Sequence, residues 1–190
     1  MDLPIYRQTK FSVPIQLDEM RPAESEGVRA MLNAVIAEGL TYPQAAPLTP
    51  EGFASYWLKG DAFVVRLGQE TEPVTASKPL VSETSEIVGA FYIKPNFPGR
   101  CSHICNAGFI VTPDVRGQGI GRWMGETMLA LARDRGYRAV MYNLVFETNL
   151  PSLKLWDSLG FQQIGRIPEA AHLPDGRYVD AIMLYRSLLN

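Results

Sequence analysis

The strongest chemical signal lies in Arg116, Gly117, Gln118, Gly119, Ile120 and Gly121. An apolar run, residues 107–111, comes directly before them, and a helical pattern over 122–135 follows. That order is strand, glycine-rich turn, helix. Glycine lets backbone N–H groups approach a ligand with no Cβ in the way, and a helix start adds unpaired donors at the positive end of its dipole. The unit suits a phosphate or pyrophosphate. Spacing then narrows the ligand. A dinucleotide fingerprint needs G-x-G-x-x-G, but counting from Gly119 and Gly121 puts Met124 at the third position, with Gly125 one residue late. A P-loop ends in Gly-Lys-Ser/Thr, which Gly121, Arg122 and Trp123 do not supply.

Arg-x-x-Gly-x-Gly, here Arg116, Gly119 and Gly121, resembles the coenzyme A pyrophosphate loop of the GNAT acyltransferases. A second stretch runs from Asn149 through Ser152, Leu155 and Trp156 to Gly160 and Phe161. It resembles that family's Asn-x-x-(small)-x-x-(aliphatic)-(aromatic)-x-x-x-Gly-Phe signature. The resemblance implies acetyl-CoA as cosubstrate and assigns roles to particular positions. In this family the strand before the glycine loop and the strand after its helix splay apart, and their edges bond the pantetheine arm as an added strand would. Here those edges are Phe109, Ile110 and Val111 on one side and residues 143–145 on the other. With Gly117 in the turn, the N–H groups of Gln118, Gly119, Ile120 and Gly121 would take the pyrophosphate. An N–H near Val111 would polarise the thioester carbonyl. Arg116 and Arg122 are candidates for charge on the nucleotide, with a solvated surface position as the alternative. Asn149 would bond pantetheine amides, a role compatible with capping its own helix.

The implied chemistry is direct attack of an amine on acetyl-CoA in a ternary complex. It needs a deprotonated amine, close placement and a proton for the departing thiolate. An α-amine has a pKa of about 7.7–8.0, so a base has little to do at neutral pH. Many family members place a tyrosine acid where this chain has Trp156. Indole N–H donates a hydrogen bond but is no practical acid, so that role does not carry over. Tyr142 and Tyr178 are substitutes by chemistry, each weighed against a packed strand aromatic.

Asn106 and Asn143 stand in otherwise apolar strand segments, where an unpaired amide is costly. The alternative for Asn106 is an amide that satisfies a bulge or a neighbouring loop. The surroundings of both, with residues 165–168 and 178–181, resemble one GNAT branch, the fungal L-azetidine-2-carboxylate N-acetyltransferases. That branch implies a carboxylate-bearing cyclic secondary amine, with Asn106 and Asn143 as catalytic substrate or oxyanion donors. Loops holding Thr41, Tyr42 and Pro43, and residues 169–177, border the acceptor site in this fold. Glu147 and Asp180 read as surface or sheet-edge groups before bases. Cys101 and Cys105 read as strand residues filling core, about 13 Å apart at roughly 3.3 Å per residue, so no disulfide is expected.

These residues must be held by elements that hydrophobic periodicity predicts. Strands are expected over 12–17, 62–67, 87–94, 102–111, 139–146, 161–166 and 178–185. A helix opens near Pro22 on a stripe of Val28, Met31, Leu32, Val35 and Ile36 and ends at Gly39. Thr49 caps a second helix carrying Phe53 and Trp57. A third carries Ile120, Trp123, Met124, Thr127, Met128 and Leu131 on one face, and a fourth spans 151–159. Residues 68–85, rich in Thr, Ser, Glu and Pro, read as a mobile hairpin insertion. The order βααβββαβαββ matches the α/β GNAT fold, a mixed, mostly antiparallel sheet splayed at its centre with helices on both faces.

The chain has 190 residues, enough for one domain, 1–190, with a sizeable core. Net charge is −2 with no Lys/Arg run, which argues against nucleic acid and anionic membranes as partners. No apolar stretch reaches the roughly 18 residues of a membrane span, and the first ten residues show no signal-peptide core. Two histidines, His103 and His172, argue against a zinc site, so no metal is expected. The compartment expected is reducing, cytoplasmic or nuclear. The expected partner is a small-molecule amine, and the family resemblance implies a homodimer. Two other readings stand beside it: acetylation of protein or peptide amines, and a catalytically silent acyl-CoA binder, which the missing tyrosine motivates.

Overall fold

The computed structural model describes residues 1–68 and 85–189, so the expected insertion over 68–85 lies almost wholly outside the described residues. Within them the chain folds in the order β1 (Ile5–Gln8), β2 (Pro14–Glu19), α1 (Ser25–Glu38), α2 (Pro50–Trp57), β3 (Asp61–Leu67) and β4 (Ile87–Pro95). It continues with β5 (Ile104–Val111), α3 (Ile120–Asp134), β6 (Ala139–Phe146), α4 (Leu150–Ser158), β7 (Gln162–His172) and β8 (Tyr178–Ser187). All strands join one eight-stranded sheet in the order β1-β2-β3-β4-β5-β6-β8-β7.

β4 shows why the sheet lies in the middle. Phe91 and Ile93 pack into a core with Met124, Met128 and Leu131 of α3, while Ala90 and Tyr92 pack into a second core with Leu32, Phe53 and Trp57 of α1 and α2. A strand buried on both faces reads as continuous apolar sequence. The helix predictions hold. α1 ends on Gly39 in the left-handed region at φ 67°, and Thr49 Oγ accepts the Gly52 N–H at 3.1 Å to open α2. The six α3 side chains expected on one face, from Ile120 to Leu131, are all buried.

Three expectations need correction. β1 was not foreseen: it has four residues, Tyr6, Arg7 and Gln8 are exposed, and nothing in so short a segment alternates. β7 runs to His172, past the expected end at 166, and carries Pro168 and a Glu169 at φ 47° inside a register irregularity between Ile167 and Ala171. It tolerates the proline because it is the last strand of the sheet, with a free edge on which no N–H is needed. His172, which ends it, therefore lies in a strand and not in a loop. Cys101 closes a 3-10 turn, Gly99–Cys101, and is exposed, so it is neither in a strand nor in the core. Cys105 is buried in β5 as expected.

β5 and β6 run parallel and share register only at Ile104–Ala139 and Cys105–Val140. Beyond those two pairs the strands part. β5 remains paired to β4 as far as Val111, and β6 to β8 as far as Phe146, so the edges that face each other across the gap carry no strand partner.

Candidate active site

The vertex of the gap is closed by side chains. Asn96, just past β4, is anchored by its N–H on Ile104 O at 2.8 Å. Its Oδ1 accepts from Asn106 Nδ2 at 3.0 Å and from Asn143 Nδ2 at 2.7 Å, and its Nδ2 donates to Asn143 Oδ1 at 3.0 Å. Three bonds of about 1 kcal/mol each thus tie β5 to β6 where their backbones no longer touch. Asn143 reaches this position because β6 is irregular between Tyr142 and Val145: Asn143 and Leu144 face a single residue of β8. Such a bulge re-aims a side chain that regular pleating would point elsewhere.

A cavity of about 890 Å³ extends from this vertex to the glycine loop. Asn106, Phe109, Ile110 and Val111 line one side, Asn143 and Val145 the other, and Asn149 and Trp156 of the α4 region a third. Gly117, Gly119, Ile120, Gly121, Arg116 and Arg122 line its far end, and Gln118 lies between them in the turn. The structure therefore brings together the sequence-predicted residues.

At the glycine loop, Gly117 and Gly119 have φ 78° and 91°, a region that side chains with a Cβ rarely adopt, and a Cβ on either would meet nothing within 4 Å. The backbone, not crowding, demands glycine there. The first bond at the start of α3 runs from Trp123 N–H to Gly119 O at 3.0 Å. The N–H groups of Gly119, Ile120, Gly121 and Arg122 thus precede the helical ladder, and these four residues line the cavity end. Both arginines are paired within the protein: Arg116 with Glu38 at 2.8 Å and with Val111 O at 3.2 Å, Arg122 with Glu126 at 2.9 Å and with Ser158 Oγ at 3.1 Å. These exposed pairs are worth about 0–1 kcal/mol, so exchanging a carboxylate for a phosphate would cost little. Asn149 caps α4 by accepting the Ser152 N–H at 3.2 Å.

Trp156 is buried, and its indole N–H is committed to Ser152 Oγ at 2.8 Å. Tyr142 stacks on Phe161 at 4.9 Å and packs on Trp156 at 4.7 Å, as a strand aromatic should. Its buried hydroxyl has no hydrogen-bond partner among the described residues, and burial holds its pKa well above the ordinary phenol value. Tyr178 is exposed, stacks on His172 and lies off the cavity wall. Glu147 and Asp180 also lie outside it, both bound by Arg166, the first at 2.5 Å. The Glu169 N–H and then Arg166 hold the Asp180 carboxyl below its usual range, so it is a surface ion-pair group and not a base. His103 is an exposed turn residue, its Nδ1 3.2 Å from Arg100 O. No cluster of three or more His, Cys, Asp or Glu among the described residues could hold a metal ion.

Sequence reasoning put Tyr42 in a loop bordering the acceptor site but missed the rest of that wall, Tyr56, Tyr92 and Lys94. Tyr42 donates to Phe109 O at 3.0 Å, Tyr56 packs edge-on against Tyr92 at 5.9 Å, and Lys94 Nζ bonds Tyr56 O at 2.6 Å. Gly108 leaves room for this wall, since a Cβ there would meet the Tyr92 ring at 2.5 Å and the Tyr42 hydroxyl at 3.0 Å. One signal was available: Lys94 is two residues from Tyr92, hence on the same strand face. Asn96 gave none, because its partners lie on two other elements.

Known proteins resemble this chain in sequence and fold. The Acetyltransferase (GNAT) family profile matches residues 46–161. The N-acetyltransferase aca1 of Schizosaccharomyces pombe is 40% identical over 156 residues, spanning 79% of this chain and 73% of that protein. A GCN5-related N-acetyltransferase structure from Kribbella flavida aligns with TM-score 0.77 at 30% identity, covering 91% of this chain and 97% of that one. A phosphinothricin acetyltransferase from Sinorhizobium meliloti, solved in complex with acetyl-CoA, aligns with TM-score 0.75 at 16% identity over 91% of this chain and 88% of its own, a likeness of fold.

Proposed function

The chain belongs to the GNAT family and is an acetyl-CoA-dependent N-acetyltransferase, and we propose that its acceptor is a small, amino-acid-like amine, a proline analogue such as azetidine-2-carboxylate. The observation that carries this reading is the asparagine cluster at the vertex of the β5–β6 gap, which places two candidate donors, Asn106 and Asn143, on facing edges of one cavity.

In this reading the chain supplies positioning and dipoles. N–H groups from Gln118 through Arg122 hold the pyrophosphate, Arg116 and Arg122 exchange Glu38 and Glu126 for nucleotide charge, and the open edges of β5 and β6 bond the pantetheine arm. Asn149 keeps its cap and has its amide NH2 free to turn to the same arm. The amides of Asn106 and Asn143 stabilise the oxyanion that forms when the amine attacks the carbonyl; Val111, five residues and about 16 Å along β5 from Asn106, is too far away to share it. At a pKa of about 7.7–8.0 only a minority of an α-amine is neutral at pH 7, so water takes the ammonium proton before attack. The proton that the nitrogen sheds on acylation passes through water to the departing thiolate, and alignment does the rest of the work. Trp156 takes no part in proton transfer, since its N–H stays on Ser152.

The test is acetyl-CoA-dependent product formation read by mass spectrometry, over azetidine-2-carboxylate, other imino and amino acids, polyamines and a lysine peptide. Acetylated azetidine-2-carboxylate is expected, falling on the order of 10²-fold in Asn106→Ala and Asn143→Ala, as when an oxyanion donor is removed. Acetylation of other amines but of no imino acid would sink the proline-analogue reading. A blank panel despite thermal stabilisation by CoA would point to a silent binder.

A further inference from the structure

The charges on the cavity wall are few. Among the described residues they are Glu38, Lys94, Arg116 and Arg122. Glu38 and Arg116 neutralise each other, and Arg122 is held by Glu126. Lys94 has no carboxylate partner among the described residues: its Nζ rests on Tyr56 O at 2.6 Å and over the rings of Tyr56 and Tyr92, 4.4 and 4.2 Å from their centroids. Its pKa lies below the ordinary lysine value because burial strips water from it, and its ionic neighbour, Lys59, pushes the same way. It is a half-buried cation held by dipoles and π-faces alone, in a cavity that otherwise balances its charge.

Position gives this charge a use. Lys94 is the register partner of Asn106 across β4 and β5, so both side chains leave the same face of the sheet about 5 Å apart at Cβ. Gly89 and Val111 pair at the other end of the same ladder, next to the glycine loop. Five residues of strand, about 16 Å, separate the two ends. A phosphate-binding loop at one end leaves the acceptor to enter at the other, beside Asn106 and Lys94. There Tyr56 and Tyr92 line the space, with Tyr92 seated close against Gly108.

We infer that Lys94 is a specificity-determining residue that binds a negatively charged group, a carboxylate or its like, on the acceptor amine. The inference rests on the acetyl-transfer reading of the same site and adds the group that reads the acceptor's charge. A carboxylate at Nζ completes the ion pair that the protein leaves open, and charge-assisted bonds are the stronger kind. Lysine-rich peptides and polyamines would bring like charge to the same spot and are disfavoured.

The experiment compares acid and amide forms of one amine: azetidine-2-carboxylate with azetidine-2-carboxamide, proline with prolinamide, and aminomethylphosphonate as an anion that is no amino acid. Wild-type protein should prefer the anion. In Lys94→Met, KM for the anion should rise about 10- to 100-fold, as for loss of one hydrogen bond to a charged group, with kcat and the amide's constants little changed. Lys94→Arg should recover much of the loss. A purely structural tether on Tyr56 would lower acid and amide together along with Tm, and that result overturns the inference while the amino-acid reading stands. If aminomethylphosphonate alone is acetylated, and loses KM in Lys94→Met, the amino-acid reading falls and the inference stands. Wild-type turnover of neutral or cationic amines only overturns both.

Discussion

The two ends of the cavity are built by different means. The glycine-loop end is backbone: N–H groups of Gly119, Ile120, Gly121 and Arg122 at the start of α3, in a turn whose φ angles of 78° and 91° require Gly117 and Gly119. The vertex end is side chain: Asn96 between Asn106 and Asn143, and Lys94 between Tyr56 and Tyr92, drawn from α2, β4, β5 and β6. Backbone donors bind whatever phosphate arrives and tolerate exchange of the side chains around them. A side-chain site changes its ligand whenever one member changes. This division suits an enzyme that keeps one acetyl donor and must select one acceptor.

The contrast predicts that damage to the first end moves constants for acetyl-CoA whatever the acceptor, and damage to the second moves acceptor constants at saturating acetyl-CoA. The largest effect should come from Gly119→Val. A β-branched residue at φ 91° is strained by about 1–3 kcal/mol, and thermal stabilisation by CoA should vanish along with turnover. Full retention of the CoA shift would show that the turn is not the donor site.

Asn96→Ala touches neither reactant in this reading, yet it unties the amides of Asn106 and Asn143. kcat should fall roughly 10- to 100-fold through misplacement, with KM for acetyl-CoA nearly unchanged. A change confined to acetyl-CoA binding would erase the distinction between the two ends. Arg116→Ala should raise KM for acetyl-CoA a few-fold while shifting stability by no more than about 1 kcal/mol, because its bond to Glu38 is exposed. The smallest effect is on stability alone. Tyr142→Phe removes a buried hydroxyl with no partner, and urea unfolding should show the variant about 1 kcal/mol more stable. If turnover falls as well, that hydroxyl serves the reaction, and the vertex end has one more polar member.

Much of the first end was legible. Residues 116–121 are contiguous, so their spacing in sequence is their spacing in space, and the stripe of α3 behind them follows from helical period. The caps at Thr49 and Gly39 are local in the same way. At the vertex only Asn106 and Asn143 stood out, because amides in apolar strands are conspicuous by type. Neither their shared partner nor the bulge that turns Asn143 toward it is visible in local pattern. The length of β7 was missed for a related reason: whether a proline such as Pro168 ends a strand depends on whether a neighbour needs its N–H, and β7 is the last strand of the sheet.

By itself, the sequence determined the family, the strand-turn-helix around the glycine loop, and the faces of the helices, all through contacts within a few residues of one another. The tertiary structure decided which polar side chains meet. The β4–β5 register sets Lys94 opposite Asn106, and the early parting of β5 and β6 leaves a gap that Asn96 spans to reach Asn143, 47 residues away in sequence. Register and splay are sums over whole strands and both cores, and no short stretch of the chain contains them.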